Sequence, residues 1–164
     1  MTDFFDQMKN NNIKSWYEKT YGSDKFNELV ERYVRHKGYE FDAASGLFFR
    51  KSVGSEIDRR TIMDIGLPRP VDWHYHTDVD EKIEVISGVG EMLMSPFGEE
   101  NSGVHRLEKG TKIVVQKERP HGFRPDKGDV IEIHLECSGI LDSAKEVCLI
   151  PFYEYLHWLT YFEV

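Results

Sequence analysis

Apolar residues near the N-terminus repeat at helical spacing. Phe26, Leu29 and Val30 follow an i, i+3, i+4 pattern that places them on one face of a helix. Ser23 is suited to cap the start of this helix, and Gly38 is suited to end it. We therefore predict a helical extension over residues 1–45. Such amphipathic helices usually cover a core, so we expect them to pack on the rest of the protein; a lid or a dimer contact is the alternative.

From Gly46 onward the pattern changes to the two-residue period of strands. Many short alternating segments are separated by Gly, Pro and Asp, which is typical of an antiparallel sandwich or barrel. We assign this domain to residues 46–151 and expect a hairpin turn at Gly88 to Gly90. The most regular segment, DVIEIHLEC, has Ile131, Ile133 and Leu135 on one face and Glu132, His134 and Glu136 on the other, and three polar residues in a row predict a solvated face.

The C-terminal segment, residues 152–164, is densely aromatic and its apolar residues fit one helical stripe. Surface of this kind is buried in a folded protein. Packing on the protein's own β domain is one prediction. A subunit interface is the other, because aromatic residues are enriched at interfaces, and we expect a homodimer.

Composition narrows the class of partner. The chain has 164 residues, 40% of them hydrophobic and 30% charged, as expected of a soluble globular protein. A net charge of -8 argues against nucleic-acid and anionic-membrane partners, which favour a basic face. No apolar run approaches the roughly 20 residues of a membrane span. The two cysteines form neither a disulfide framework nor a CxxC motif, so we expect reduced thiols and a cytoplasmic location.

Candidate chemistry is concentrated in the stretch WHYHTDVDEKIEV. His74 and His76 are two residues apart, so on a strand their side chains point the same way, while Tyr75 points to the opposite face. Glu81 follows a short polar bend that can return the chain to the same centre. Two imidazoles and a carboxylate at this spacing predict a metal site.

Here the sequence resembles the cupin superfamily. Its first motif, two histidines one residue apart followed by a glutamate and then a glycine, is matched by His74, His76, Glu81 and Gly88. Its second motif begins with a glycine, contains a Pro-x-Gly turn, and carries one histidine. Here that motif starts at Gly110 and places His121 in register, whereas Gln116, Glu118 and Pro125 replace the usual proline, glycine and asparagine.

The resemblance implies an all-β, double-sheet jelly roll. It also implies a single divalent transition metal held by four side chains, His74, His76, Glu81 and His121. Imidazole and carboxylate ligands favour Fe and also suit Mn, Ni and Zn. Four protein ligands leave positions open on an octahedral ion, as in catalytic sites. Asp80 and Glu84 are alternative carboxylates.

The substrate pocket is harder to predict, because the inward residues of the outer strands are not defined by the sequence. Phe123 shares the face of His121 and is expected to form an apolar wall. Arginines near the motifs could bind an anionic substrate through a two-pronged contact. The complete set of pocket candidates is Ile83, Val85, Phe123, Arg124 and His134, with Arg50, Arg69 and Arg119 as further candidate anion ligands.

Three functions are consistent with these residues. The first, which we favour, is a non-haem iron dioxygenase acting on a small organic acid or thiol. The second is a metal-dependent sugar or sugar-phosphate isomerase, epimerase or lyase, in which the metal polarises a carbonyl and a side chain moves a proton. The third is a non-catalytic module that binds a metal or a small molecule. Cupins include all three kinds of protein, so the fold does not choose among them.

Overall fold

Helices form the N-terminal part of the protein, as the apolar pattern predicts. The computed structural model describes residues 3–51, 61–94, 103–139 and 146–150. The side chain of Asn10 caps the second helix by accepting hydrogen bonds from the backbone N–H groups of Asn12 and Ile13. The helices are α1 Phe4–Gln7, α2 Asn11–Thr20, α3 Ser23–Glu31 and a π-helix Arg32–His36. None of these helices is long and apolar enough to cross a membrane.

The apolar stripe of these helices is buried against the β domain. Phe26 and Val30 are fully buried, and Tyr33 stacks on Phe48 with a centroid distance of 4.7 Å. Phe48 lies on the outer face of the sheet, so the helices pack on the outside of the β domain. This arrangement agrees with the prediction that the helical extension covers one face of the domain.

The rest of the described chain forms two antiparallel sheets. One sheet has the strand order β1-β2-β3-β10-β5-β8, and the other has the order β11-β4-β9-β6-β7. This is the double-sheet jelly roll that the sequence predicts. The strands are β1 Glu40–Asp42, β2 Leu47–Lys51, β3 Thr61–Leu67, β4 Val71–His76, β5 Glu81–Ser87, β6 Gly90–Met94, β7 Gly103–Leu107, β8 Lys112–Val115, β9 His121–Pro125, β10 Ile131–Cys137 and β11 Glu146–Ile150.

A main core lies between the two sheets, where their inner faces meet. Ile131, Ile133 and Leu135 on β10 are each at most 2% exposed, as their alternation predicts. They pack with Met92 and Phe123 of the facing sheet in one continuous cluster. Burial of these side chains is the main favourable contribution that holds the sheets together.

The turn at Gly88 does not form a hairpin, contrary to the prediction. β5 pairs with β8 and β10, whereas β6 pairs with β7 and β9, so the chain crosses here from one sheet to the other. Gly88 has a φ of +89°, and a Cβ at this position would lie 2.1 Å from the carbonyl oxygen of Val130. Only glycine fits this close approach of two backbones. The predicted helix over residues 152–164 lies outside the described residues.

Candidate metal centre

Two histidines of the predicted motif lie on β4 and point between the sheets. His74 and His76 are 6% and 7% exposed, and their ring centroids are 5.0 Å apart. Tyr75, between them, is half-buried and belongs to the opposite face, as the two-residue period of a strand requires. The strand therefore presents two imidazoles, buried to a similar extent, to the space between the sheets.

The third histidine comes from the neighbouring strand. His121, the first residue of β9, is the direct cross-strand partner of His74. Their ring centroids are 4.3 Å apart, and His121 is 1% exposed. One ring nitrogen from each of the three histidines lies within 4.8 Å of the others, a spacing that a single ion can bridge.

Glu81 reaches the same point from the opposite sheet. The bend over residues 77–80 carries the chain from β4 to β5, and Glu81 is the first residue of β5. Its Oε1 lies 3.2 Å from Nε2 of His121 and 3.4 Å from Nε2 of His76. Two strands of one sheet and one strand of the other therefore bring together three imidazoles and one carboxylate.

Hydrogen bonding orients the rings. Nδ1 of His121 lies 3.0 Å from the carbonyl oxygen of Arg119. Because a carbonyl only accepts, Nδ1 carries a proton, which leaves Nε2, on the side of Glu81, as the ring nitrogen that could bind a metal. Nδ1 of His76 is buried and makes no hydrogen bond within the described part of the chain. A buried ring nitrogen of this kind is costly unless an ion or a water molecule meets it.

The electrostatics of the cluster favour an ionised Glu81 beside a neutral His76. Burial alone would raise the pKa of Glu81, but the contact with His121 and the neighbouring histidines outweigh burial, so the pKa is lowered. Burial lowers the pKa of His76, with Glu81 opposing this effect. Carboxylate and neutral imidazole are the protonation states that bind a divalent transition metal.

A cavity of about 380 Å³ opens beside the four side chains. Its size is in the range of small-molecule sites. Its walls are mostly apolar and include two aromatic side chains. The lining residues other than the histidines and Glu81 are Asp42, Ser45, Leu47, Phe49, Ile65, Leu67, Arg69, Val71, Phe123, Ile133 and Leu135.

Known structures share this architecture. No protein-family model and no curated protein sequence matches the chain significantly. The solved structure of the nucleoside dehydratase Pac13 matches it with a TM-score of 0.52 and 16% identity, over 69% of this chain and 86% of Pac13. A Streptomyces Pac13 variant with uridine matches over the same shares, with a TM-score of 0.53 and 14% identity. The cupin domain of Schizosaccharomyces pombe Cnp3 matches 60% of this chain and 66% of its own, with a TM-score of 0.47 and 11% identity. The chain has the cupin fold.

Within this cupin fold, the predicted pocket residues take three different positions. Phe123 lines the cavity, and its ring lies edge-on to His121 at 6.1 Å between centroids. Ile83 and Val85 belong to the main core and are not among the described residues that line the cavity. Arg124 and His134 point to the outer faces of the two sheets, where they contact Glu91 and Asp64.

The cavity also contains polar residues outside the two cupin motifs. Arg69, one of four arginines proposed as anion ligands, is 5% exposed and lines the cavity. Asp42, the last residue of β1, and Ser45, in the turn between β1 and β2, line it as well and were not predicted. Polar residues are usual at the end of a strand and in a turn, so the sequence carries no signal for them. Arg50 instead pairs with Asp64 on the outer face of the six-stranded sheet.

Proposed function

We propose that the protein is a metal-dependent enzyme acting on a small organic molecule, and that its reaction is that of a non-haem iron dioxygenase. The observation that carries the proposal is the convergence of three buried histidines and Glu81 on the wall of a largely apolar cavity. Three imidazoles and one carboxylate that converge beside a cavity are ligand types that hold a divalent transition metal in proteins.

The donor set fits a first-row divalent ion. His74, His76 and His121 would supply imidazole nitrogens, and Glu81 would supply one anionic oxygen. This combination suits Fe(II) and also Mn, Ni and Zn. Ferrous iron bound by these residues would supply the redox chemistry that activates dioxygen. The chain's own contribution is to orient the ligands, as the Arg119 carbonyl does for His121.

The cavity lining favours a redox reaction over a proton transfer. Lyases and isomerases need a positioned acid or base beside the reacting carbon. Among the described lining residues outside the ligand set, Asp42 and Arg69 are the ionisable ones, and none is Lys or Tyr. The side chains of Phe49, Phe123 and Leu135 instead provide apolar surface that binds a hydrocarbon body and excludes water.

A lyase or dehydratase is the second candidate, and Asp42 is the observation that favours it. Its carboxylate lies in the cavity wall and is a potential general base. However, this carboxylate already accepts hydrogen bonds from Ser45 Oγ at 2.6 Å and from the backbone N–H of Ala44 at 3.3 Å. These bonds engage both carboxylate oxygens within the adjoining turn, so we rank this function below the dioxygenase.

Metal analysis followed by oxygen uptake tests the proposal. Protein purified without chelator is analysed by plasma emission, then loaded anaerobically with Fe(II) and mixed with O2 and a panel of small organic acids, thiols and phenols. We expect stoichiometric iron and oxygen uptake that depends on one class of compound. Bound zinc, nickel or manganese with no oxygen uptake, together with product formation that Asp42→Asn abolishes, would establish the lyase instead. Absence of metal after every loading would leave a binding module and overturn the proposal.

A further inference from the structure

Arg69 is a buried cation in an otherwise apolar cavity wall. It lies in the short segment between β3 and β4 and is 5% exposed, and it lines the same cavity as the histidines. Arginine is almost never fully buried unless partners hold it. The burial of this charged side chain therefore needs a physical explanation.

Two backbone carbonyls hold the guanidinium in place. Nε of Arg69 donates to the carbonyl oxygen of Ser45 at 2.8 Å, and Nη1 donates to that of Pro70 at 2.7 Å. These bonds use two of the five N–H groups of a guanidinium and fix its plane, yet neither partner carries a charge. Other groups of the protein also interact with Arg69, so an incoming anion shares its N–H groups with them.

The segments that carry these carbonyls are themselves fixed by α2. The hydroxyl of Tyr17 donates to the carbonyl oxygen of Gly46 at 2.6 Å, next to Ser45. The hydroxyl of Tyr21 donates to that of Pro68 at 3.1 Å. A Cβ on Gly46 would lie 2.9 Å from the Tyr17 ring, so the turn and the helix are in close contact. The helical extension therefore positions Arg69 through the cavity rim.

The charge of the cavity favours an anionic guest once a metal is bound. Counted over the described lining residues alone, Arg69 and a bound divalent ion would contribute three positive charges, whereas Asp42 and Glu81 contribute two negative ones. The loaded cavity thus has one net positive charge within low-dielectric walls, where a charge acts strongly on a ligand. The apolar walls select a hydrocarbon body, and a guanidinium matches the planar shape of a carboxylate.

We infer, on the basis of the proposed function, that Arg69 is the specificity-determining residue of the cavity and binds the carboxylate of an apolar organic acid. The substrate class is a small aromatic or branched aliphatic monocarboxylic acid. Its hydrocarbon part contacts Phe49 and Phe123, and its carboxylate takes a two-pronged contact with the guanidinium.

Calorimetric binding of a matched pair of probes tests this inference. Phenylacetate and phenylacetamide have the same shape and differ in charge. We titrate each into metal-free and Zn(II)-loaded protein, so that a direct bond between carboxylate and metal is separated from the effect of Arg69. Zn(II)-loaded wild-type protein is expected to bind the acid about tenfold or more tighter than the amide, since hydrogen bonds to charged groups are the stronger kind. The metal-free protein should keep a smaller preference, because Asp42 and Glu81 then outnumber Arg69 among the charged side chains of the described lining.

Three variants complete the test. Arg69→Gln is expected to remove the preference for the acid in the metal-free protein, and Arg69→Lys to keep part of it, because lysine retains the charge and loses the fork. Arg35→Gln is the matched control, since it removes an arginine whose side chain is 71% exposed. Its preference should equal that of the wild type. Thermal melting establishes that each variant is folded.

Equal binding of acid and amide by the wild type would overturn the inference without any variant. So would a folded Arg69→Gln protein that keeps the full preference. Should Arg69→Gln fail to fold, the wild-type comparison and Arg69→Lys decide, and a Lys variant with undiminished preference would again overturn it. An Arg69-dependent preference in a protein without metal or oxygen uptake would refute the proposed function alone.

Discussion

Two buried carboxylates lie on opposite faces of the same sheet and have different partners. Glu81 points inward from β5 and is 6% exposed, whereas Glu132 points outward from β10 and is 4% exposed. The neighbours of Glu81 are the imidazoles of His76 and His121. Similar burial therefore accompanies two different chemical environments.

Hydrogen-bond donors surround the carboxylate of Glu132. Its Oε1 accepts a bond from the hydroxyl of Tyr33 at 3.1 Å and another from Lys37, and its Oε2 accepts one from Tyr39 at 3.1 Å. Burial alone would raise the pKa of Glu132, but the hydrogen bond and charge of Lys37 outweigh burial, so the pKa is lowered. Hydroxyl and ammonium groups saturate this carboxylate and leave it no role in binding an ion.

The contrast separates a structural carboxylate from a candidate metal ligand. Glu132 joins the π-helix and the segment after it to β10, and its donors fully satisfy it. Glu81 is met by ring nitrogens that are candidate metal ligands, beside a cavity. The number of partners is similar, so the type of partner and the adjacent space distinguish the two sites.

Of the substitutions that test this comparison, removal of a histidine should have the largest effect, and the effect is on metal binding. We expect His74→Ala and His121→Ala each to lose most of the bound metal while the protein stays folded. Metal affinity should fall by more than about 100-fold, because changes even outside the ligand shell cost about 10- to 100-fold. Plasma emission on protein dialysed against a metal buffer measures the occupancy.

Glu132→Gln provides the control for that experiment, since it alters a buried carboxylate on the outer face of the sheet. Its metal occupancy should equal that of the wild type. Full occupancy in both histidine variants would refute the ligand set, and loss of metal from the Glu132 variant would refute the separation of the two sites.

The sequence predicts the inner face well because period and motif act together. A strand period places His74 and His76 on one side, and the register of the second motif marks His121 although its turn residues differ from the family pattern. Both facts are local in sequence. The shape of the cavity depends on residues that are distant in sequence. Arg69 and Asp42 line it while bonded to the turn before β2, and Tyr17 of α2 bonds to that turn.

The outer face shows where the reasoning from sequence fails. The alternation of β10 correctly puts Glu132, His134 and Glu136 on one face, and it predicts that this face is solvated. For Glu132 this prediction is wrong, because Tyr33 of the π-helix and Lys37, the residue that follows this helix, cover its side chain and hydrogen-bond to it. His134 and Glu136 lie beyond the helices and remain partly exposed. A strand period fixes the face of a residue, and tertiary packing fixes its burial.

Substitution of Glu132 should have the next largest effect, and the effect is on the stability of the fold. Glu132→Gln keeps the shape but removes the charge that Lys37 and the two tyrosines meet. We expect the free energy of unfolding to fall by about 1–3 kcal/mol, the usual cost when a buried polar partner is lost. Lys37 is 39% exposed and can turn to water, which limits the loss. Urea unfolding of metal-free protein measures it.

Glu84→Gln is the matched change for stability, because Glu84 is 45% exposed on the same outer face and pairs with Lys112 at 4.0 Å. A change of this kind usually stays within about 0.5 kcal/mol. If both variants lose the same stability, the network around Glu132 does not anchor the helices.

Substitution of His134 should have the smallest effect on stability. Carboxylates surround this histidine, as at the candidate metal centre, but no second histidine converges on them within the described residues. Its Nδ1 lies 2.8 Å from Asp64, its Nε2 lies 3.4 Å from Glu136, and Glu84 faces it across the strand pair. Burial lowers the pKa of His134, but the carboxylates of Asp64 and Glu136 outweigh burial and raise it above 6.5.

The pH dependence follows from that direction. A raised pKa contributes stability that is complete below pH 6.5 and is lost as the pH rises through the higher folded-state value. We expect metal-free wild type to lose up to about 1 kcal/mol relative to His134→Gln between about pH 6 and pH 8, as for partly exposed ion pairs. Urea unfolding at both pH values measures the difference. A constant difference would mean that the pKa of His134 is the same in the folded and the unfolded protein, so that the neighbouring carboxylates have no net effect on it.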